Sequence, residues 1–308
     1  MKPTKEIVRE LLSQDPSSFE PNSLNGFSVV SVGGGCISDA YRVRADDGDW
    51  FVKSNDVSFE ANFQAESEGL RQLAAVAERM DGIVVPQPRA VAVVAGASWL
   101  VMDWHCRSDQ QAESYPAFGR SLARFHRESV GVVIGDAMGE GHDNFLGAAR
   151  QLNAPLKDWT EFVAQQRIGF QLRWAVDQGL ADRQLVDRCH RVMTEMSSLL
   201  SGREQSTSLL HGDLWSGNFF WGESGNTVMI DPAAYRGCRE AEFGMLKLFG
   251  GCPGEFYEAY DDEFPLADGC WRRVSVYVLY HLLNHLNLFG SGYLDQCRQV
   301  AGDILRSR

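Results

Sequence analysis

The spacing of apolar and polar positions changes period several times along the chain. Ile7, Val8, Leu11 and Leu12 stand at helical spacing behind Thr4, a residue suited to an N-cap, so residues 5–12 are predicted to form a short packing helix. From Phe27 the period becomes two. Residues 27–32, 40–44 and 50–53 read as three strands, the last two joined through the turn signal Asp46-Asp47-Gly48-Asp49. Helical spacing returns with Phe59, Phe63, Leu70, Leu73 and Ala77, and Val84-Val85-Pro86-Gln87-Pro88 breaks it. Residues 89–95 and 98–102 then form a hairpin through Gly96.

After Asp103-Trp104-His105 the chain turns polar as far as Tyr115, which marks the expected boundary between a lobe of residues 1–104 and a lobe of residues 105–308. Helices are predicted over 118–126, from 159 to about 176, and over 181–200, with residues 144–155 as a loop. Strands in this half are expected only around 209–231. The fold class is therefore α+β: a small antiparallel-sheet N-lobe and a mainly helical C-lobe. There is no internal repeat and no low-complexity segment.

Composition narrows this picture. With 308 residues, 44% of them hydrophobic, the chain can bury the core of one large domain or two lobes. A net charge of −12 repels nucleic acid and anionic membrane alike, so only a local basic pocket, such as a phosphate site, is expected. Residues 1–19 lack the apolar stretch and cleavage pattern of a secretory signal. The longest apolar run, residues 91–102, falls short of the roughly 20 residues of a membrane helix. Seven cysteines without metal-like spacing point to a reducing cytoplasm and no disulfide framework.

The candidate chemistry centres on Leu209-Leu210-His211-Gly212-Asp213-Leu214-Trp215-Ser216-Gly217-Asn218. Asp213 and Asn218 stand five positions apart, and Asp231 follows a strand, the turn at 222–226 and a second strand. Phosphoryl transfer from a nucleotide needs this trio: one group to orient the attacking hydroxyl, and two oxygen ligands for magnesium. His211 is expected to shape the loop by hydrogen bonding. Upstream, Lys53 ends an apolar strand, and Glu66 lies on the buried stripe of the following helix, where a carboxylate needs a partner. A Lys53–Glu66 pair would hold the lysine against the α- and β-phosphates.

Gly33-Gly34-Gly35-Cys36-Ile37-Ser38 sits between two strands, which excludes Rossmann and P-loop readings, since both require a helix after the glycines. Such a tip can offer backbone N–H groups and the Ser38 hydroxyl to phosphate, and by itself it also fits an ordinary flexible turn. A crossing segment at 103–105 has backbone groups that could pair with a purine edge. Taken together the pattern is a kinase-like active site, yet two features exclude an ordinary protein kinase. The loop reads His211-Gly212-Asp213 in place of His-Arg-Asp, and Asp231 is followed by Pro232-Ala233 with no later Ala-Pro-Glu. A small-molecule kinase is the better class.

These residues resemble the fructosamine (ketosamine) kinases, relatives of the aminoglycoside and choline kinases with a two-lobed protein-kinase-like fold. The resemblance runs from about residue 27 to 295. It is carried by the loop at 209–218, Gly34-Gly35-Cys36-Ile37-Ser38, Phe51-Val52-Lys53-Ser54-Asn55, Phe63-Gln64-Ala65-Glu66, Asp231-Pro232-Ala233, Leu248-Phe249-Gly250-Gly251 and Tyr280-His281-Leu282-Leu283-Asn284-His285. It implies ATP and Mg2+ as cofactors and phosphorylation of the 3-hydroxyl of a sugar ketoamine on an amine, the first step of deglycation. Bacterial relatives favour ribulosamines or erythrulosamines.

By the same resemblance Asp213 is catalytic, and Asn218 and Asp231 hold metal. Gly33, Gly34, Gly35, Ser38, Lys53 and Glu66 serve the nucleotide, Asp103, Trp104 and His105 carry the adenine crossing, and Trp215 and His285 belong to the substrate pocket. The spacing of His281 and His285 alone would also suit zinc, but no HExxH pattern supports that. Glu242 and Gly244 depart from the usual aspartate and alanine, and Cys238 from a frequent histidine. The expected state is a monomer or, through Cys36, a redox-sensitive homodimer. A kinase for another hydroxylated amine, or a pseudokinase, remain the competing readings.

Overall fold

Two antiparallel hairpins and one added strand build the first layer of the protein. The structure is a computed structural model that describes residues 1–14, 24–33, 37–46, 48–108, 114–130 and 142–307. The strands are β1 (Ser28–Val32), β2 (Asp39–Ala45) and β3 (Gly48–Asn55), then the two-residue β4 (Ile83–Val84), β5 (Pro88–Val94) and β6 (Ala97–Asp103). All but β4 join one sheet in the order β1-β2-β3-β6-β5. The β5–β6 turn places Ala95 and Gly96 at φ of 51° and 75°, the paired left-handed residues of a tight hairpin.

The period of two sorts this sheet's side chains between two cores. Trp50 and Val52 of β3 and Trp99 and Val101 of β6 face outward, where helix α1 (Lys5–Leu12) covers them with Ile7, Val8, Leu11 and Leu12. Thr4 caps that helix by accepting the Ile7 N–H at 3.4 Å. Leu100 and Met102 face the opposite way, into the main core, against Phe63, Leu70 and Leu73 of α2 (Glu60–Ala77). Lys53 lies on this inner face as well, since it alternates with Val52.

The remaining chain is mostly helical: α3 (Ser114–Ser129), α4 (Trp159–Phe162), α5 (Phe170–Asp177), α6 (Arg183–Thr194), α7 (Met196–Leu199), α8 (Phe243–Phe249), α9 (Gly254–Glu263), α10 (Cys270–Phe289) and α11 (Leu294–Arg306). Short strands interrupt it: β7 (Asn144–Leu146), β8 (Ala149–Gln151), β9 (Ser208–Leu210), β10 (Phe219–Trp221), β11 (Thr227–Met229) and β12 (Tyr235–Gly237). The central helix α10 is buried along most of its length, and its aliphatic residues complete the main core. Among the described residues no helix is long and apolar enough to cross a membrane.

Four expectations need correction. Residues 144–155 are not a plain loop, because β7 and β8 form a hairpin. Two of its four buried side chains are polar: Asn144 Nδ2 donates to Ala234 O at 2.7 Å and Gln151 Nε2 to Ala233 O at 3.0 Å, a pattern hydrophobic periodicity cannot register. The breaker expected over 84–88 begins inside a strand, because Val84 belongs to β4, which runs parallel to β11 with Ile83 opposite Thr227, so the hairpin before Asp231 has a third strand. Strand structure after β11 continues to Gly237, because β12 pairs with β9. The helix expected over 181–200 divides at Glu195, and a π-helical stretch (Val163–Gly169) joins α4 to α5.

Burial carries a pH consequence on α10. His281 is almost fully buried, its Nδ1 has no partner among the described residues, and burial pushes its pKa down from 6.5 to about 3. Between those values the unfolded chain binds one more proton than the folded one. Stability is therefore present above about 6.5 and is lost as pH falls toward 3, with a slope of up to about 1.4 kcal/mol per unit. We expect His281→Phe to narrow the difference in Tm between pH 7 and pH 5, measured by calorimetry. An undiminished difference would show that His281 does not contribute to it.

Candidate active site

The loop that carries Asp213 is held from beneath by a buried carboxylate. As β9 ends, His211 N–H and Gly212 N–H donate to Glu242 at 2.7 and 3.0 Å. His126 Nε2 lies 3.4 Å from the same carboxylate, and His126 Nδ1 lies 2.8 Å from the Tyr260 hydroxyl. Burial lowers the pKa of His126 despite the pull of Glu242. Burial would raise Glu242, but the bond from His126, its nearby charge and the His211 amide outweigh it and lower the pKa, so Glu242 is ionised. Glu242, marked in the sequence only as a departure from aspartate, thus satisfies two backbone donors of the loop.

Gly212 lets the loop make its turn. Its φ is +82°, and a Cβ there would stand 2.2 Å from Ala233 O, so no side chain fits. Ala233 N–H donates back to His211 O at 2.9 Å, tying the loop to the segment after Asp231. His211 acts by hydrogen bonding: its Nε2 meets Ile230 O at 2.8 Å while its Nδ1 accepts the Asp213 N–H at 3.3 Å. Asn218 Nδ2 donates to Asp213 O at 2.8 Å and Asp213 Oδ2 at 3.0 Å. The Asp213 carboxyl is raised well above the ordinary carboxylate range by burial first and then by the charge of Asp231, against the Asn218 bond.

The β10–β11 hairpin returns Asp231 to this point, with Ile230 N–H donating to Asn218 O at 2.9 Å. Asp231 has φ of +57°, a left-handed conformation uncommon outside glycine and typical of strain held at functional sites. Lys53 Nζ donates to Asp231 Oδ1 and to Glu66 Oε1, both at 2.7 Å. Burial works against the lysine charge, but the Asp231 and Glu66 carboxylates outweigh it and raise its pKa. Glu66 is raised by burial and by Asp231, despite Lys53. Helix α2 approaches closely at Gly69, where a Cβ would lie 3.2 Å from the Ala234 methyl and 3.4 Å from Pro232, so Glu66 is positioned against the segment after Asp231.

These groups share one cleft of about 590 Å³ that also reaches Gly33, Ser38, Asp103, Trp104, His105, Trp215 and His285. Ser38 is anchored at the sheet, where Asn55 Nδ2 donates to its Oγ at 3.0 Å. Gly34, Gly35 and Cys36 lie outside the described residues. The crossing segment is less open than its sequence suggests. Asp103 N–H donates to Gln87 O at 3.0 Å and Trp104 N–H to Asp49 O at 3.2 Å, while the Asp103 carboxylate grips Arg89 at 2.6 and 2.8 Å. The two amides are therefore committed within the protein.

Opposite that end, Trp215, Phe249 and His285 form an aromatic wall, with ring centroids 5.8 Å apart for the first pair and 4.7 Å for the second. His285 Nδ1 lies 2.8 Å from His281 O, a carbonyl that can only accept, so this nitrogen carries the proton. Burial lowers the His285 pKa, and the neutral ring keeps an acceptor at Nε2. Among the described residues no cluster of three or more His, Cys, Asp or Glu could hold a metal. The Asn218 and Asp231 oxygens do suit magnesium, which takes few protein ligands beside phosphate and water. Asn218 spends its Nδ2 on Asp213, which leaves Oδ1, and Asp231 meets Lys53 through Oδ1, which leaves Oδ2.

A paired lysine and glutamate, a loop aspartate with its asparagine, and a second aspartate after a hairpin define a kinase of the protein-kinase-like fold. The comparisons agree. A crystal structure from Thermobifida fusca provisionally named a fructosamine-3-kinase superposes with a TM-score of 0.81 at 30% identity, covering 99% of both chains. An aminoglycoside phosphotransferase in complex with AMP-PNP and hygromycin B shares the fold, with a TM-score of 0.65 at 13% identity over 91% of this chain and 94% of that one. The protein-ribulosamine 3-kinase of Arabidopsis thaliana, a chloroplastic protein, is 37% identical over 310 residues, 98% of this chain and 91% of its own. A provisionally named ketoamine kinase of Synechocystis is 37% identical over 90% of each chain. The sequence profile described as fructosamine kinase matches residues 8–307, and the chain belongs to the fructosamine kinase family.

The Glu242 brace makes a prediction of its own. Glu242→Gln turns an NH2 group toward one of the two loop amides, leaving a buried donor unsatisfied. We expect kcat to fall about 10- to 100-fold with the KM for ATP within about twofold of wild type, measured by steady-state kinetics. Unchanged kcat would show that the brace does not position Asp213.

Proposed function

We propose that this protein transfers the γ-phosphoryl group of ATP to the 3-hydroxyl of ketosamines, ribulosamine- or fructosamine-type adducts of amines, as the first step of deglycation. The observation that carries this reading is the meeting, in one cleft, of the Asp213–Asn218 loop, the Lys53–Asp231 contact and the aromatic wall of Trp215, Phe249 and His285. Family membership supports it.

In this reading the adenine lies along the crossing at Asp103, Trp104 and His105, and the phosphates lie under Gly33, Gly34, Gly35 and Ser38. Lys53, steadied by Glu66, neutralises phosphate oxygens. Asp213 orients the sugar hydroxyl and takes its proton as the oxygen bonds to the γ-phosphorus and the bond to ADP breaks. Asn218 and Asp231 would hold Mg2+, which offsets the charge gathering on the transferring group. Residues 1–104 act as the nucleotide-covering lobe and 105–308 as the substrate lobe. The cytoplasm is the proposed compartment, and Cys36 the proposed site of a redox-sensitive homodimer, for which Cys36→Ala should abolish any peroxide-induced dimer on non-reducing gels.

The reading predicts magnesium-dependent ADP release with ribulose-, erythrulose- or fructose-lysine, and NMR should place the phosphate on the 3-hydroxyl. Turnover with aminoglycosides or choline and none with ketosamines would sink it, and no turnover at all would favour a pseudokinase. Asp213→Asn should cost about 10²- to 10⁴-fold in kcat while ATP binding, measured by calorimetry, is kept. Because the active form of Asp213 is the carboxylate and its pKa is raised, kcat/KM should be lost as pH falls through a midpoint above the ordinary carboxylate range.

A further inference from the structure

A chain of buried amides runs from α5 to the cleft, and chemistry fixes its direction. Asn287 Nδ2 lies 2.9 Å from the backbone carbonyl of Gln171, which can only accept, so the NH2 group of Asn287 must face that way. The same Nδ2 lies 2.7 Å from the Gln171 side chain, and the atom it meets must be the oxygen, Oε1. Gln171 Nε2 is thereby turned to the Asn284 side chain at 3.0 Å, and the atom it meets must be Oδ1. The remaining oxygen of Asn287 accepts from Gln178 Nε2 at 3.3 Å. Every orientation in the chain follows from one backbone carbonyl.

The end of this relay is an NH2 group. Asn284 is 2% exposed and lines the cleft, and among the described residues its Nδ2 meets no hydrogen-bond partner. One turn earlier on α10, Tyr280 feels the charge of Asp213, so this part of the helix is within electrostatic reach of the proposed base. A buried amide that can offer only a donor requires an acceptor on whatever fills the cleft. The neighbouring His285 Nε2 offers the opposite polarity, an acceptor.

We propose that Asn284 is a specificity-determining residue that donates to an acceptor oxygen of the sugar beside the hydroxyl to be phosphorylated, and that Gln171 is the positioning residue that keeps its NH2 group turned to the cleft. The inference rests on the proposed ketosamine kinase function. Without Gln171 the Asn284 amide loses the bond that defines its rotamer, and the cleft meets donor and acceptor in turn. A site built to donate to a substrate oxygen discriminates strongly, since either partner left unpaired loses its hydrogen bond in a water-poor cleft.

The test is steady-state kinetics on the full chain with ribulose-lysine and ATP, beside Tm by calorimetry. Asn284→Ala should lower kcat/KM for ribulose-lysine about 10- to 100-fold and leave the KM for ATP within about twofold. Gln171→Met, which never touches the cleft, should raise the KM for ribulose-lysine about three- to tenfold with the KM for ATP unchanged. An Asn284→Ala enzyme within twofold of wild type overturns the proposal, as does a Gln171→Met enzyme that loses Tm but keeps its sugar KM. A loss falling equally on ATP also overturns it. Wild-type protein inert on every ketosamine overturns the proposed function and this inference with it, whereas active wild type with undiminished variants overturns the inference alone.

Discussion

Lys53 is the interaction on which the site depends. Glu66, Asp231 and Asp213 converge on a small, largely buried volume, and three carboxylates cannot share such a space without a cation among them. The lysine supplies that charge from the inner face of β3, bonding Glu66 and Asp231 at the same length of 2.7 Å. Its two partners come from α2 and from the end of the β10–β11 hairpin, so one ammonium ties the five-stranded sheet to the mainly helical half. Removing it would leave like charges facing one another in the cleft, which is costlier than losing an exposed pair. Burial first, and then the charge of Asp231, keep the Asp213 carboxyl raised above the ordinary carboxylate range.

Around that charge cluster the protein uses neutral or singly ionised polar groups to fix backbone and rotamers. Glu242 receives the loop amides, His211 spans from the loop to Ile230, and Asn144 and Gln151 hold the carbonyls of Ala234 and Ala233. Each bond satisfies a group that burial would otherwise penalise by about 1–3 kcal/mol, so the loop has few alternative conformations. The strained φ of Asp231 persists because these neighbours over-determine it. The amide relay from Gln178 through Asn287 and Gln171 to Asn284 extends the same principle to the lining of the cleft, where orientation sets polarity.

Much of the fold was legible from periodicity. The five sheet strands, the α2 stripe and the hairpin before Asp231 could all be placed from their apolar spacing, although β6, lying between two cores, is buried on both faces. The errors cluster where that signal fails. The β7–β8 hairpin is held by buried amides that read as loop residues, and β4 consists of two residues whose partner strand lies far away in sequence. The crossing at Asp103 and Trp104 looked open, but its amides are taken by Gln87 and Asp49, partners distant in sequence that no local pattern identifies.

The chemistry divides in the same way. Lys53, Glu66, Asp213, Asn218 and Asp231 could be named from the sequence because residue type and order alone limit what they can do. Glu242 could be noticed only as an unusual residue, and Asn284 and Gln171 not as functional residues at all. The sequence by itself determined which side chains can carry charge, bind an oxygen-seeking metal or accept a proton, and which faces would be buried. Only the tertiary structure decided which way an amide turns and which backbone group it satisfies, because those choices depend on partners more than a hundred residues apart brought within hydrogen-bonding distance.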